Sequence, residues 1–374
     1  MSLIKEERVY FHGLEEFRAI AALMVYFHHV EIHKWYEGYS SLAEIKSLAP
    51  FIKHAGSNAV TAFFVLSGFL ITYLLLKEKE KTNTISVKAF YMRRIFRIWP
   101  LYFLVVFIGF AVMPMLLKTG WFYDQKEYPK LIEGLNYSLL PLFIFFLSNI
   151  ALKFKPVVGA SQSWSVSVEE QFYLLWPNVI KFTKGIKQLS LIIILVIVLK
   201  FILSYFIVKF IGNGILLEIL NFISFQSMCV GALAAILLFE KSIFERVKKV
   251  LENKIILILV FVAILLELFI FNRSFPLSIL FAIFILLIVT QKIEIKFLKF
   301  FGKISYGIYM LHPSMIFISF SIANNIKGQL GFNLAFYGLS FGLTIIASYL
   351  SFKYFESPIL RFKNKYTIIK SGAE

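Results

Sequence analysis

Long apolar runs alternate with short clusters of lysine, arginine and glutamate along this chain, on a wavelength far longer than the turn of a helix or the pleat of a strand. The runs fall at about 15–33, 57–76, 97–117, 136–152, 167–181, 189–211, 216–239, 255–271, 277–290, 304–322 and 333–354. Several reach the roughly 20 residues that a helix needs to cross a bilayer, whereas 136–152, 167–181 and 277–290 are short. Eleven is therefore an upper count. The pattern predicts an all-α fold, a polytopic integral membrane bundle of about ten transmembrane helices around a polar cavity.

Charge in the connections orients the bundle. The clusters Lys77 to Lys81 with Arg93, Arg94 and Arg97, the lysines 181, 184 and 187, and the segments 241–249, 292–303 and 353–370 are basic, which assigns them to the cytoplasm. Both termini then lie inside, and an even number of spans is required. The basic connections fit if 136–152 is a short, re-entrant or peripheral helix, which leaves ten crossings. Residue 18 then sits near the cytoplasmic side, residue 29 towards the outer half, and the segment SWSVSVEEQFY at the outer mouth of its helix.

Composition agrees with a membrane protein. Of 374 residues, 59% are hydrophobic and only 16% charged, with 43 phenylalanines and a mean hydropathy of +0.77, unlike any ordinary soluble domain. The net charge of +17 sits between the apolar runs, so it reads as topology signal and anionic-lipid contact and not as a nucleic-acid surface. A single cysteine, Cys229, excludes an intrachain disulfide and reads as a packing residue. No small-residue cleavage site follows the charged N-terminal stretch, so no cleaved leader is expected. Residues 1–374 read as one integral membrane domain without a fused soluble domain. The longest outer connections, 34–56 and 118–135, carry Trp35, Tyr36, Tyr39, Trp121, Tyr123 and Tyr128, which suit either an interfacial belt or stacking on sugar rings.

Polar residues inside the apolar runs carry the chemistry. Arg18 and His29 lie eleven residues apart in the first run, which puts them within about 20° on one helix face and roughly 16 Å apart along the axis. Ionisable groups in hydrocarbon are costly, so this face is expected to meet a cavity. FFVLSGFLITYLLL places Ser67 beside Gly68 in mid-helix, where small residues also permit close helix packing. YMRRIFRIWPLY sets Arg94 and Arg97 on nearly one face with Arg93 beside them, a group suited to phosphates or to anchoring at the cytoplasmic boundary. SWSVSVEEQFYLLWP pairs Glu169 with Tyr173 at i, i+4, next to Glu170. That spacing fits either helix capping after Ser165 or Ser167 or a functional carboxylate. ISYGIYMLHP aligns Ser305, Tyr309 and His312 on one face. In YFESP, Glu356 reads as part of a helix stop. His29 and His33 have metal-ligand spacing, but no further ligand pattern follows and no metal is expected. Phosphate loops and nucleophile-elbow motifs are absent.

The ordered set of Arg18 and His29, FFVLSGFLI, RRIFRIWP, SWSVSVEEQFYLLWP and ISYGIYMLHP resembles the membrane-bound acyltransferase 3 family over about residues 11–358. Where that family has GVxxFF before the second helix, this chain reads Ala59-Val60-Thr61-Ala62-Phe63-Phe64, so no role is carried over to that point. The resemblance implies an O-acetyltransferase of the bacterial inner membrane, which moves an acetyl or other short acyl group from acyl-CoA to a hydroxyl of a surface polysaccharide or lipid-linked sugar. By motif, His29 would be the general base with Arg18 as its partner. Arg93, Arg94 and Arg97 would hold coenzyme phosphates. Glu169 and Tyr173 would act at the reaction centre, with Ser67, Ser305, Tyr309 and His312 lining the cavity. His28 points about 100° away from His29 and is set aside. The competing class is a transporter or flippase of a lipid-linked saccharide, in which the same ionisable residues serve binding or proton coupling. A paired-repeat pattern of broken helices, expected of such a transporter, is not seen.

Overall fold

The computed structural model describes residues 8–119, 137–212 and 214–372. The helices that matter below are α1 (Leu14–Tyr36), α2 (Ala49–Thr82), α3 (Val87–Phe107), α4 (Ser163–Phe182), α5 (Ile186–Phe210), α6 (Phe225–Phe239), α7 (Lys254–Leu266), α8 (Ser274–Thr290), α9 (Lys296–Lys303), α10 (Ser305–Ala323), α11 (Gln329–Leu350) and α12 (Ser357–Lys363). Seven stretches are long and apolar enough to cross a membrane: Ala49–Thr82, Val87–Lys118, Ile186–Phe210, Leu216–Phe239, Lys254–Phe271, Ser305–Ala323 and Gln329–Tyr366. The chain is an all-helical membrane protein. Its only sheet among the described residues is a two-residue parallel pairing of Arg8–Val9 with Lys370–Ser371.

Helix α2 is the hub. It runs 34 residues, well past the expected 57–76: Pro50 sits at the helix start where it is tolerated, Gly56 packs closely on His28, and KEKEKT at the other end consists largely of helix-forming lysine and glutamate. It stops at Asn83, whose φ of 57° takes the left-handed turn that ends many helices. The connection expected over 34–56 is shortened accordingly. The most apolar window of α2 is 72% buried, and α1, α4, α6 and α8 pack around it. Close approach to α6 depends on paired glycines: a Cβ on Gly68 would strike the Met228 carbonyl, and one on Gly231 would strike the Val65 carbonyl. By contrast only 11% of the α5 window and 17% of the Lys254–Phe271 window are buried. Their leucines, isoleucines and phenylalanines point outward, as lipid-facing helices require.

Two apolar runs do not form single helices. Between Tyr137 and Ala151 the chain forms three short helical pieces, Tyr137–Leu139, Leu140–Ile144 and Ser148–Ala151, none long enough to cross. Tyr102 of α3 donates to the Phe143 carbonyl at 2.8 Å, and Ser148 bonds Ser167 of α4 at 2.7 Å, so this segment is held inside the bundle. The run at 216–239 breaks at Ile223 and Ser224. Lys200 of α5 reaches the break and donates to the Ile223 carbonyl at 2.9 Å and to Gln226 at 2.6 Å, satisfying polar groups that hydrocarbon would leave unpaired.

Candidate functional site

A cavity of about 630 Å³ opens among α1, α2, α3, α4, α10 and the C-terminal segment, beside the pairing of Arg8–Val9 with Lys370–Ser371. Six cationic side chains reach it: Arg18, Arg93, Arg94, Arg97, Lys303 and Lys363. Arg93 is committed elsewhere, since its Nη2 pairs with Glu78 at 2.9 Å and its Nη1 donates to the Tyr366 carbonyl at 2.8 Å. Among the described residues no carboxylate stands within ion-pairing distance of the other five. Arg94 lies over the Tyr173 ring at 5.6 Å, and its buried Nε has no hydrogen-bond acceptor. Unpaired guanidinium and ammonium groups in a recess this large have the chemistry to hold a polyanion, although Glu15, Glu78, Glu169 and Glu356 also line it.

The polar wall opposite is built from α2 and α4. Both oxygens of Glu169 accept from hydroxyls, Oε1 from Ser67 at 2.9 Å and Oε2 from Tyr173 at 2.5 Å. Glu170 Oε2 accepts from the Trp99 indole at 3.2 Å, while its Oε1 is buried without a partner. The two carboxylates lie in the second turn of α4 and cap nothing, which removes the capping alternative. Glu169 packs on Ser67 near the middle of α2. Gly68 carries the helix packing and Ser67 faces the cavity, so the two small residues divide the roles that the sequence left open.

The stripe on α10 leads inward from this cavity. Ser305 donates to the Gly302 carbonyl at 2.8 Å at the helix start, and Tyr309 bonds Ser165 at 2.6 Å and the Gln162 carbonyl at 3.1 Å. Both residues line the cavity, but His312, three residues further on, does not. Its Nε2 lies 3.1 Å from Nδ1 of His29, which is also outside the cavity lining. His29 Nδ1 is 2.9 Å from the Val25 carbonyl, and His312 Nδ1 is 2.9 Å from the Ile308 carbonyl. Carbonyls only accept, so Nδ1 carries the proton on both rings, and the lone pair of His29 is on Nε2.

The structure therefore brings Arg18 to Arg94 and Arg97, and His29 to His312, and does not bring Arg18 to His29. His28 turns away as expected, with Nδ1 at 2.6 Å from the Ile52 carbonyl of α2. His33 packs its ring on Phe320 at 4.7 Å. Glu356 is no helix stop: α12 follows directly, and Glu356 faces the cavity while accepting from Ser351 at 2.9 Å. Tyr39 is half-buried and stacked on Phe332 at 4.0 Å, whereas Trp35 is exposed with Lys53 above its ring. Trp121, Tyr123 and Tyr128 lie outside the described residues. Sequence reasoning missed Lys303, Lys363, Gln162 and the role of Ser165. Lys303, immediately before ISYGIYMLHP, is the one with a local signal.

The fold and this site define a polytopic helical membrane protein with a cationic cavity leading to a pair of histidines. The family model described as "Acyltransferase domain" matches residues 11–353. The chain belongs to the acyltransferase 3 family. It is 28% identical over 371 residues to a Staphylococcus aureus (strain COL) protein provisionally named an O-acetyltransferase, covering 93% of this chain and 57% of that protein. It is also 26% identical over 382 residues to the O-acetyltransferase OatA of Staphylococcus aureus strain NCTC 8325 / PS 47, covering 94% of this chain and 57% of the relative. The chain thus spans little more than half the length of these curated relatives. No solved structure matches it.

Proposed function

We propose that this protein transfers an acetyl group from acetyl-CoA, taken from the cytoplasm, to a hydroxyl of an extracytoplasmic glycan. The observation that carries the reading is the junction of two unlike sites in one bundle: a cavity with unpaired Arg18, Arg94, Arg97, Lys303 and Lys363, and a histidine pair just beyond its inner wall. The first suits the phosphates of a coenzyme, which guanidinium groups bind through charge-assisted, often bidentate hydrogen bonds. The second supplies a base.

In this account His29 Nε2 accepts the proton of the acceptor hydroxyl as its oxygen attacks the thioester carbonyl. Arg18, placed among the cavity cations, acts on the donor. Glu169, held by Ser67 and Tyr173, fixes Tyr173 beneath Arg94 and so shapes the cavity wall. Tyr309 and Ser165 stand where the cavity meets the histidines.

The membrane arrangement follows the same logic. Adding α1, α4 and α8 to the seven long apolar stretches makes ten crossings, with both termini and the cavity mouth in the cytoplasm of a bacterial inner membrane. Arg18 of α1 and Glu169 of α4 face the cavity, while His28, His29 and Glu31 of α1 bond inside the bundle, and these polar residues are why the two helices fall short on apolar composition alone.

The test is mass spectrometry of cell-surface glycans from cells carrying the wild type or His29→Ala at equal membrane expression. Loss of a 42 Da increment from a glycan in the variant supports the reading and identifies the acceptor. An unchanged acylation profile with altered glycan export would assign the protein to transport instead.

A further inference from the structure

His312 is fully buried on α10, outside the cavity, and makes two contacts of opposite sense. Its Nδ1–H donates one turn back to the Ile308 carbonyl at 2.9 Å, which fixes the tautomer and leaves Nε2 with a free lone pair. That lone pair faces His29 Nδ1 at 3.1 Å. His29 Nδ1–H is thus shared between two acceptors, the Val25 carbonyl and His312 Nε2. Among the described residues no aspartate or glutamate bonds either ring. Other titratable groups nearby are engaged elsewhere: His28 on Ile52, His33 against Phe320, and Tyr309 on Ser165 and Gln162.

We propose that His312 is a positioning residue for His29 and fills the place that a carboxylate takes in many base-orienting sets; this rests on His29 being the base. When Nε2 of His29 takes the acceptor's proton, the ring becomes an imidazolium and its Nδ1–H bond to His312 strengthens. A neutral imidazole gives this support without burying a second charge. An unpaired carboxylate at the same depth costs several kcal/mol of desolvation, by the order of magnitude known for buried ions. The bonds balance: the acceptor O–H breaks and its proton goes to His29 Nε2, the new C–O bond forms, and the C–S bond breaks. The leaving thiolate then takes the proton from Nε2. The Nδ1 proton of His29 stays on its ring, and His312 stays neutral throughout.

The test uses inverted membrane vesicles carrying the full chain, labelled acetyl-CoA as donor, and incorporation of label into the vesicles' own glycans. His312→Leu is expected to lower the saturated rate about 10- to 100-fold, by analogy with the loss when the partner that orients a metal-ligating histidine is removed, with the KM for acetyl-CoA unchanged. His312→Gln, whose side-chain carbonyl reaches the Nε2 position and accepts a hydrogen bond, is expected to recover most of that rate. In a His29→Ala background, His312→Leu should change nothing further. A wild-type rate in His312→Leu, or equal loss in the Leu and Gln variants together with a lowered melting temperature, overturns the proposal in favour of simple packing. Full activity in His29→Ala would instead remove the base assignment on which the proposal rests.

Discussion

The three arginines of RRIFRIWP look alike in sequence, and the structure separates them sharply enough to predict different defects. Replacing Arg93 by alanine strands Glu78, which is 1% exposed and is held by Arg93 at 2.9 Å and the Ser86 backbone N–H at 2.8 Å. Breaking a buried pair from one side costs about 3 to 5 kcal/mol, because the other charge stays buried. For 374 residues unfolding with an entropy of about 2 cal/mol/K each, that loss corresponds to a melting temperature lower by about 4 to 6 °C. Replacing Arg94 or Arg97 strands no carboxylate. Each of these removes a cation from the cavity, and a hydrogen bond to a charged group is worth about 1.5 to 3 kcal/mol. At 1.4 kcal/mol per decade, acetyl-CoA binding should weaken about 10- to 100-fold with little change in melting temperature. Thermal unfolding followed by intrinsic fluorescence, and equilibrium binding of labelled acetyl-CoA to the purified protein, read the two effects separately. Wild-type affinity in both Arg94→Ala and Arg97→Ala would refute the reasoning, as would an Arg93→Ala variant of unchanged stability.

Other sites give independent expectations. Gly68→Leu drives a side chain into the Met228 backbone and should part α2 from α6, seen as loss of folded protein in detergent beyond the roughly 1 to 3 kcal/mol of ordinary overpacking. Glu31, buried at the far end of α1, accepts from Ser41 at 2.9 Å, from the Leu42 N–H at 2.7 Å and from the Tyr337 hydroxyl. Glu31→Ala should loosen the connection between α1 and α2 and make it accessible to protease, while Glu31→Gln should do so less. On the surface, Lys299 and then Tyr10 hold the Glu294 carboxyl down at about 2 from its ordinary 4.5. A lowered carboxylate contributes stability that is complete above pH 4.5 and fades as pH falls towards 2, so Glu294→Gln should flatten the acid end of the stability profile over that window.

Much of this architecture is legible in the sequence because hydrocarbon imposes a length and a polarity on each crossing. The apolar runs anticipate most of the helices: 136–152, set apart as short, re-entrant or peripheral, forms short helical pieces, whereas 216–239, expected as one span, breaks at Ile223 and Ser224. The ends of α2 were not legible, since polar lysine and glutamate extend a helix as readily as they end a span. The face shared by Arg18 and His29 follows from helical periodicity alone. What each residue meets does not: His29 finds His312 across 283 positions, and Ser67 finds Glu169 across 102. Only the packing of α1, α2, α4 and α10 decides these partners. The same packing pairs Arg93 with Glu78 and, among the described residues, leaves Arg94 and Arg97 without a carboxylate partner, a distinction that sequence spacing cannot carry.

The most direct test of acyl transfer uses inverted vesicles supplied with acetyl-CoA labelled separately in its acetyl group and in its pantetheine arm. The account predicts that acetyl label enters the glycan fraction as an alkali-labile ester, that pantetheine label stays outside as free CoA in equal amount, and that His29→Ala abolishes both. Ester formation that persists in His29→Ala, or glycan movement without any acetyl label in the ester fraction, would contradict it.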